Sequence, residues 1–147
     1  MNRETIVITG ASAGIGAASA KLMLASGYDV VNLDRVESGD ADVETRKVDL
    51  TDRAGLARVL RDVAETRNVV GLVNNAGLAR TAVLEETDDD LLRDTFDINL
   101  SAAAICAREL VPAMKKRGGG RIVNIASRSA QGRELRTAYA ASKGGLI

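Results

Sequence analysis

Residues 9–16 read TGASAGIG and follow a short apolar run, Thr5-Ile6-Val7-Ile8. An extended apolar run, a glycine-rich turn and a helical pattern opening near Ile15 constrain this chain more than any other stretch. Glycines let the backbone turn sharply and let an anion approach without meeting a Cβ. The unpaired N–H groups and the dipole at a helix N-terminus then favour negative charge, such as a diphosphate. Gly10 reads as the turn residue, Gly14 as the point of close approach, and Gly16 as the contact that lets helix pack on sheet. The spacing is G-x3-G-x-G, not G-x-G-x-x-G, so the dinucleotide-binding fingerprint does not simply apply to it. A glycine-rich turn without a ligand is the competing reading.

The chain then alternates. Residues 5–9 read as a strand. Residues 15–26 read as a helix with Ile15, Ala18, Leu22 and Ala25 on its apolar face and Gly27 as its stop. Asp29 to Leu33 is a second strand ending at Asp34, 35–42 a polar loop, and Val43 to Val48 a weaker third strand before Asp49. Thr51 or Asp52 caps a helix over about 53–66, with Leu56, Val59, Leu60 and Val63 inward. Val69 to Val73 lacks polar alternation, as in a strand covered on both faces, and ends at Asn74-Asn75-Ala76-Gly77. Thr87 to Asp90 caps an interrupted helical region reaching about Arg117, where Pro112 predicts a kink or turn. Gly118-Gly119-Gly120 precedes a fifth strand, Arg121 to Ile125; 128–137 are polar, and a last helix begins near Ala138.

Strands alternating with helices predict a Rossmann-type α/β fold, a doubly wound parallel sheet with helices on both faces. Ligands of such sheets bind beyond the carboxyl ends of the strands, where strand order reverses. The glycine turn, Asp34, Asp49, Asn74 to Gly77 and Ser127 each follow an apolar strand and therefore collect along one edge. The length of 147 residues suits one domain, 1–147.

Composition excludes several classes. With 46% hydrophobic and 27% charged residues and a formal net charge of +0, the chain has the balance of a globular protein without a basic surface for nucleic acid. Aromatics are 2%, too few for base stacking. No apolar run is long enough to cross a bilayer. The N-terminus enters a strand at once, with no room for a signal peptide, so cytoplasmic location is the default expectation. With no histidine and one cysteine, no metal site of the usual N/S type is expected. Cys106, among Ala102, Ala103, Ala104 and Ile105, reads as a small buried apolar residue.

Asp34 lies twenty residues past Gly14, at the end of the second strand. A carboxylate there accepts hydrogen bonds from an adenosine ribose and repels a 2′-phosphate, which favours NAD over NADP. Arg35 beside it argues the other way, because an arginine pairs well with that phosphate. NAD is the expectation, with NADP as the alternative.

Tyr139 and Lys143 are four apart on the last helix and share a face. A free phenol titrates near ~10 and is a poor base at neutral pH, but an adjacent ammonium favours the phenolate. Such a tyrosine can exchange a proton with a carbonyl or alcohol oxygen while a hydride moves to or from a nicotinamide. Ser127 can hydrogen-bond the same oxygen. A tyrosine–lysine pair at this spacing is also a common surface arrangement.

TGASAGIG at 9–16, NNAG at 74–77, Asn99, the NIAS ending at Ser127 and YAASK at 139–143 together resemble the short-chain dehydrogenase/reductase family over the full length of the chain. The resemblance implies that Gly10, Ser12, Gly14, Ile15 and Gly16 line the pyrophosphate. It implies that Asp34 meets the adenosine ribose, that Asp49 and Leu50 flank the adenine, and that Asn75, Ala76 and Gly77 support the central strand and touch the cofactor. It places the active tetrad on Asn99, Ser127, Tyr139 and Lys143, with the lysine also holding the nicotinamide ribose. Ser129 rivals Ser127 for the serine role. Family members are longer and carry further strands and a substrate-covering loop, so the resemblance identifies this chain as an N-terminal portion, truncated after the fifth strand and the start of the next helix.

The expected function is an NAD(P)-dependent oxidoreductase acting on a small secondary alcohol or ketone. A nucleotide-binding fragment without turnover and a surface-only interaction protein are the competitors; retention of all four tetrad residues argues against the last. The resemblance also implies a homo-oligomer, dimer or tetramer, with Ala102, Ala103, Ala107 and Leu110 as a small-residue face for a partner or for the chain's own sheet.

Overall fold

The computed structural model describes residues 3–147. Five strands, β1 (Glu4–Thr9), β2 (Asp29–Asp34), β3 (Val43–Lys47), β4 (Asn68–Asn74) and β5 (Arg121–Asn124), form one sheet. Every pairing is parallel and the order is β3-β2-β1-β4-β5. The chain walks outward from β1 to β3, then crosses back to lay β4 on the other side of β1. Strand order therefore reverses between β1 and β4, and a crevice opens beyond their C-terminal ends.

Alternation along β1 splits the core. Ile6 and Ile8 face helix α1 (Gly14–Ala25), packing with Ala20, Val30 and Val43. Val7 faces the opposite layer, with Val31, Leu33, Leu56, Leu60 and Leu110 of β2, α2 (Arg53–Thr66) and α4 (Ala102–Lys116). Val7 and Ile8 have no exposed surface; full burial of such side chains stabilises by about 1.5–3 kcal/mol each.

The caps form as the sequence predicts: Asp52 Oδ1 accepts from the Gly55 amide at 2.9 Å, and Asp88 Oδ1 from the Leu91 amide at 2.7 Å. Two expectations fail. The face of α1 carrying Ile15, Ala18, Leu22 and Ala25 is turned to solvent, with Ile15 64% and Leu22 60% exposed. The helix buries Gly16 and Ala20 instead, because only small residues let its backbone approach β1. The turn expected at Pro112 does not form either: α4 runs on to Lys116, and Pro112 lies on its exposed side. The interruption is upstream, where α3 (Asp89–Phe96) passes through a π turn, Asp97–Ser101, into α4. Ala102, Ala103 and Leu110 are buried within this chain and Ala107 packs on its core, so they are not a free docking face. Cys106 is fully buried as expected, and burial pushes its thiol up to about 12. Helix α5 (Thr137–Gly144) closes the described chain.

Candidate active site

The glycine turn is held by buried polar side chains from neighbouring strands. Gly10 has φ +71°, left-handed backbone open to glycine, and its amide bonds Leu33 O at 3.0 Å. Asn32, without exposed surface, accepts from the Ala11 amide at 2.8 Å and donates to Ser12 Oγ at 2.9 Å. Asn75 Nδ2 donates to Thr9 O and Gly10 O at 3.0 and 3.1 Å, and Thr9 Oγ1 accepts the amides of Asn75 and Ala76, both at 3.0 Å. β1 and β4 are thus tied where the crevice opens.

The three glycines have distinct surroundings. A Cβ on Gly16 would sit 2.2 Å from Gly10 O, so α1 packs against the turn only through a glycine. At Gly14, φ is +56° and nothing lies within 4 Å of a Cβ position: the space over the helix start is open. No side chain caps α1, so its first-turn amides face that space without a protein acceptor. Ile15 flanks it, exposed. The Ser12 hydroxyl is turned away from it and donates to Val36 O at 2.5 Å.

Beside the turn runs a cleft of about 320 Å³, in the range of small-molecule sites. Its lining includes Gly10, Asp34, Asp49, Leu50, Asn75, Ala76 and Gly77. Asp34 accepts the amides of Ser12 and Val36 at 3.3 and 3.2 Å, one on each oxygen. Arg35 extends to Asp49, at 3.9 Å, rather than to Asp34. Asp49 also accepts the amide and hydroxyl of Thr51, and these bonds hold its carboxyl below the usual carboxylate range.

Gly77 joins the cleft to the chemistry. A Cβ on it would lie 3.5 Å from Lys143 Nζ and 3.6 Å from Asn99 Oδ1. Asn99 sits in the π turn, nearly without exposure. It accepts the Leu78 amide at 2.7 Å and donates to Leu78 O at 3.0 Å and Ser142 Oγ at 2.9 Å. Ser142 Oγ donates to Tyr139 O at 2.8 Å, so Asn99 is tied to α5 through a buried serine that the sequence reading passed over. The tell-tale was its position, one residue before Lys143 on the same helix.

Lys143 is 3% exposed, and its ammonium donates to Ile125 O at 2.7 Å, two residues before Ser127. Burial lowers its pKa. Its Nζ lies 5.9 Å from the centre of the Tyr139 ring. Among the described residues the Tyr139 hydroxyl has no hydrogen-bond partner, leaving it available to a ligand. Ser127, half-buried, opens a 3-10 turn and accepts the Ser129 amide at 3.1 Å, which leaves its own O–H free; Ser129 is the more buried of the two. Gly77, Asn99, Tyr139 and Lys143 thus meet at one end of the cleft, with Ser127 on the adjoining strand end. No group of three or more metal-ligating side chains occurs among the described residues, and no described helix is long and apolar enough to cross a membrane.

Comparison with known proteins gives a consistent picture. Residues 4–147 match the family model described as short chain dehydrogenase. The chain is 34% identical to the 3-oxoacyl-(acyl-carrier-protein) reductase FabG of Salmonella typhimurium, over 96% of this chain and 62% of that protein. It is also 34% identical to the 2-dehydro-3-deoxy-L-rhamnonate dehydrogenase (NAD(+)) of a Sphingomonas species, over 96% of this chain and 61% of that one. Its structure superposes on a putative NAD(P) dependent gluconate 5-dehydrogenase from Beutenbergia cavernae, solved with bound NADP, with TM-score 0.92, 37% identity, and coverage of 97% and 62% of the two chains. The chain thus spans a little over three fifths of the length of these relatives.

Proposed function

The chain belongs to the short-chain dehydrogenase family, and from that premise we propose that it acts in an oxidoreductase moving a hydride between a nicotinamide cofactor and a secondary alcohol or ketone, with Tyr139 as acid and base. The observation that carries this reading is the meeting of Tyr139, Lys143, Asn99 and Gly77 at the end of a cleft that begins at the glycine turn.

The residues fit the cofactor. The open space over Gly14 and the uncapped amides of α1 suit a pyrophosphate. In this reading Asp34 meets the adenosine ribose, Asp49 and Leu50 flank the adenine, and Asn75, Ala76 and Gly77 follow the path to the nicotinamide; that all six line the same cleft supports it. When bound, the nicotinamide gives or takes the hydride at the substrate carbon. Ser127 donates its free O–H to the substrate oxygen and fixes it. In the oxidative direction the Tyr139 oxygen takes the hydroxyl proton; in the reductive direction Tyr139 returns that proton to the carbonyl oxygen. Lys143 supplies positive charge beside the ring on which negative charge develops, and its remaining donors serve the nicotinamide ribose. Asn99, held by Leu78 and Ser142, fixes α5 against the π turn.

We assign NAD as the preferred cofactor. Asp34 lines the cleft with both oxygens accepting amides, and Arg35 is directed at Asp49. The rhamnonate dehydrogenase is named for NAD(+), while the gluconate dehydrogenase holds NADP, so the family accommodates both. Asp34→Ala is expected to raise relative affinity for NADP; tighter NADP binding by the unaltered chain overturns the preference. A homo-oligomer is also proposed on family grounds, and a clean monomer in sedimentation removes it.

Turnover is tested by following reduced-cofactor absorbance with a panel of ketones. Tyr139→Phe should lower the rate by about 10²–10⁴-fold while leaving cofactor binding in place. Full activity of that variant refutes the assigned chemistry, and binding without turnover in the unaltered chain favours a nucleotide-binding module.

A further inference from the structure

Beyond Tyr139, two loops form a rim on the side away from the glycine turn. The segment after Gly77 and the segment between Ser127 and α5 are joined by the Ala82 amide to Leu135 O and by Arg136 Nη1 to Ala79 O, both at 3.2 Å. Leu135 adopts φ +58°, a left-handed turn costly for a branched side chain, immediately before Arg136. The Arg136 guanidinium lies 5.7 Å from the centre of the Tyr139 ring, as close as the Lys143 ammonium at 5.9 Å.

These two cations are in different positions. Lys143 is buried and bonded to Ile125 O. Arg136 is half-buried, makes a single hydrogen bond to a protein atom, and forms no ion pair among the described residues. Most of its five donors remain free. Arg80, Arg128 and Arg133 of the same two segments are likewise without ion pairs among the described residues, as are Arg58, Arg117 and Arg121 elsewhere, whereas Arg46, Arg53, Arg61, Arg67 and Arg93 each hold a carboxylate. Residues 127–136 contain three arginines against one acid, Glu134. Counted with Glu85, Glu86 and Asp88 of the segment after Gly77, the two loops are balanced in charge, and it is Arg136 alone whose guanidinium lies against the Tyr139 ring with donors to spare.

We infer that the substrate is a carboxylate-bearing secondary alcohol or ketone, its carboxylate held by Arg136 a few bonds from the carbon that reacts at Tyr139. This rests on the oxidoreductase reading and adds the substrate class. A planar guanidinium with free donors matches a carboxylate in a forked geometry, and its place against the Tyr139 ring fixes the acid relative to the reacting carbon. Arg136 is a specificity residue: it takes no part in proton transfer.

The test uses the chain saturated with NADH and a series of 2-, 3- and 4-oxo carboxylates, each paired with its neutral amide. Binding is read from the shift in melting temperature across ligand concentration, and KM where turnover occurs. At least one carboxylate should bind about tenfold or more tightly than its amide, as expected for hydrogen bonds to charged groups. Arg136→Gln should erase that preference, Arg136→Lys should keep part of it, and Arg58→Gln on the exposed side of α2 should leave it intact. No preference for the acid, whether both members bind equally or neither binds, overturns the inference, as does a preference that survives Arg136→Gln. Turnover of neutral ketones without preference leaves the oxidoreductase reading standing; failure to bind NADH at all removes both.

Discussion

Gly16→Ala adds one methyl group where the structure has no room for it. The new Cβ would lie 2.2 Å from Gly10 O and 2.5 Å from Asn75 Nδ2, short of ordinary contact by about 1.2 Å at the first of these. The obstructing atom is backbone, so the turn itself must shift. Such overpacking costs about 1–3 kcal/mol. Moving Gly10 also strains the bonds from Asn75 Nδ2 to Thr9 O and Gly10 O, each worth about 0.5–1.5 kcal/mol. Alanine's better helix propensity returns at most about 1 kcal/mol. The net loss is about 3 kcal/mol, which for a chain of this size lowers the melting temperature by about 6–12 °C. Gly14→Ala is the counterpart. Nothing lies near its Cβ, so only the left-handed backbone opposes it, at about 1–2 kcal/mol. Its methyl would fill the space assigned to the pyrophosphate, so NADH affinity should fall at least about tenfold although the fold survives. Thermal unfolding and NADH titration of both variants check this. Gly16→Ala melting with the parent refutes the packing argument; Gly14→Ala binding NADH normally refutes the assignment of that space.

Two further outcomes are expected. Thr9→Val keeps the side-chain shape but leaves the amides of Asn75 and Ala76 without their acceptor, and chemical denaturation should show a loss of about 2–4 kcal/mol, whereas no loss would mean these amides find other partners. Lys143 has its pKa lowered in the folded chain, so between its folded value and the unfolded value near 10.5 the unfolded chain binds more protons, and stability from this group rises with pH. Unfolding free energies of the parent minus those of Lys143→Met should therefore climb through that window; a flat difference contradicts the burial account.

Much of the fold was legible because hydrophobic period and turn chemistry agreed. Asp52, Asp88 and the glycine stretches mark element ends, and the five strands form within a residue or so of the expected limits. The α1 face was not legible, because that helix is apolar nearly all round and periodicity cannot choose a side; the choice falls to Gly16 and Ala20, whose small size permits close approach. Pro112 misled because a proline near the exposed end of a helix gives up only one bond, while the π turn at 97–101 carries no local signal. The glycine turn, Asp34, Asp49 and Asn75 to Gly77 follow strand ends, where the topology gathers them, whereas Asn99 lies in the π turn and Tyr139 and Lys143 on α5. Their supports, Thr9, Asn32 and Ser142, are ordinary residue types whose importance depends on which strand or helix lies beside them. Asn32, a polar residue within the apolar run VVNLD, was the one that could have been flagged.

The most direct measurement is a crystal structure of the chain with NADH and a bound alcohol, from which the positions of the Tyr139 and Ser127 hydroxyls are read. Both should lie within about 3 Å of the one substrate oxygen, on the nicotinamide side of Lys143. A Tyr139 hydroxyl directed away from Ser127 and from the cleft would contradict proton transfer by this tyrosine.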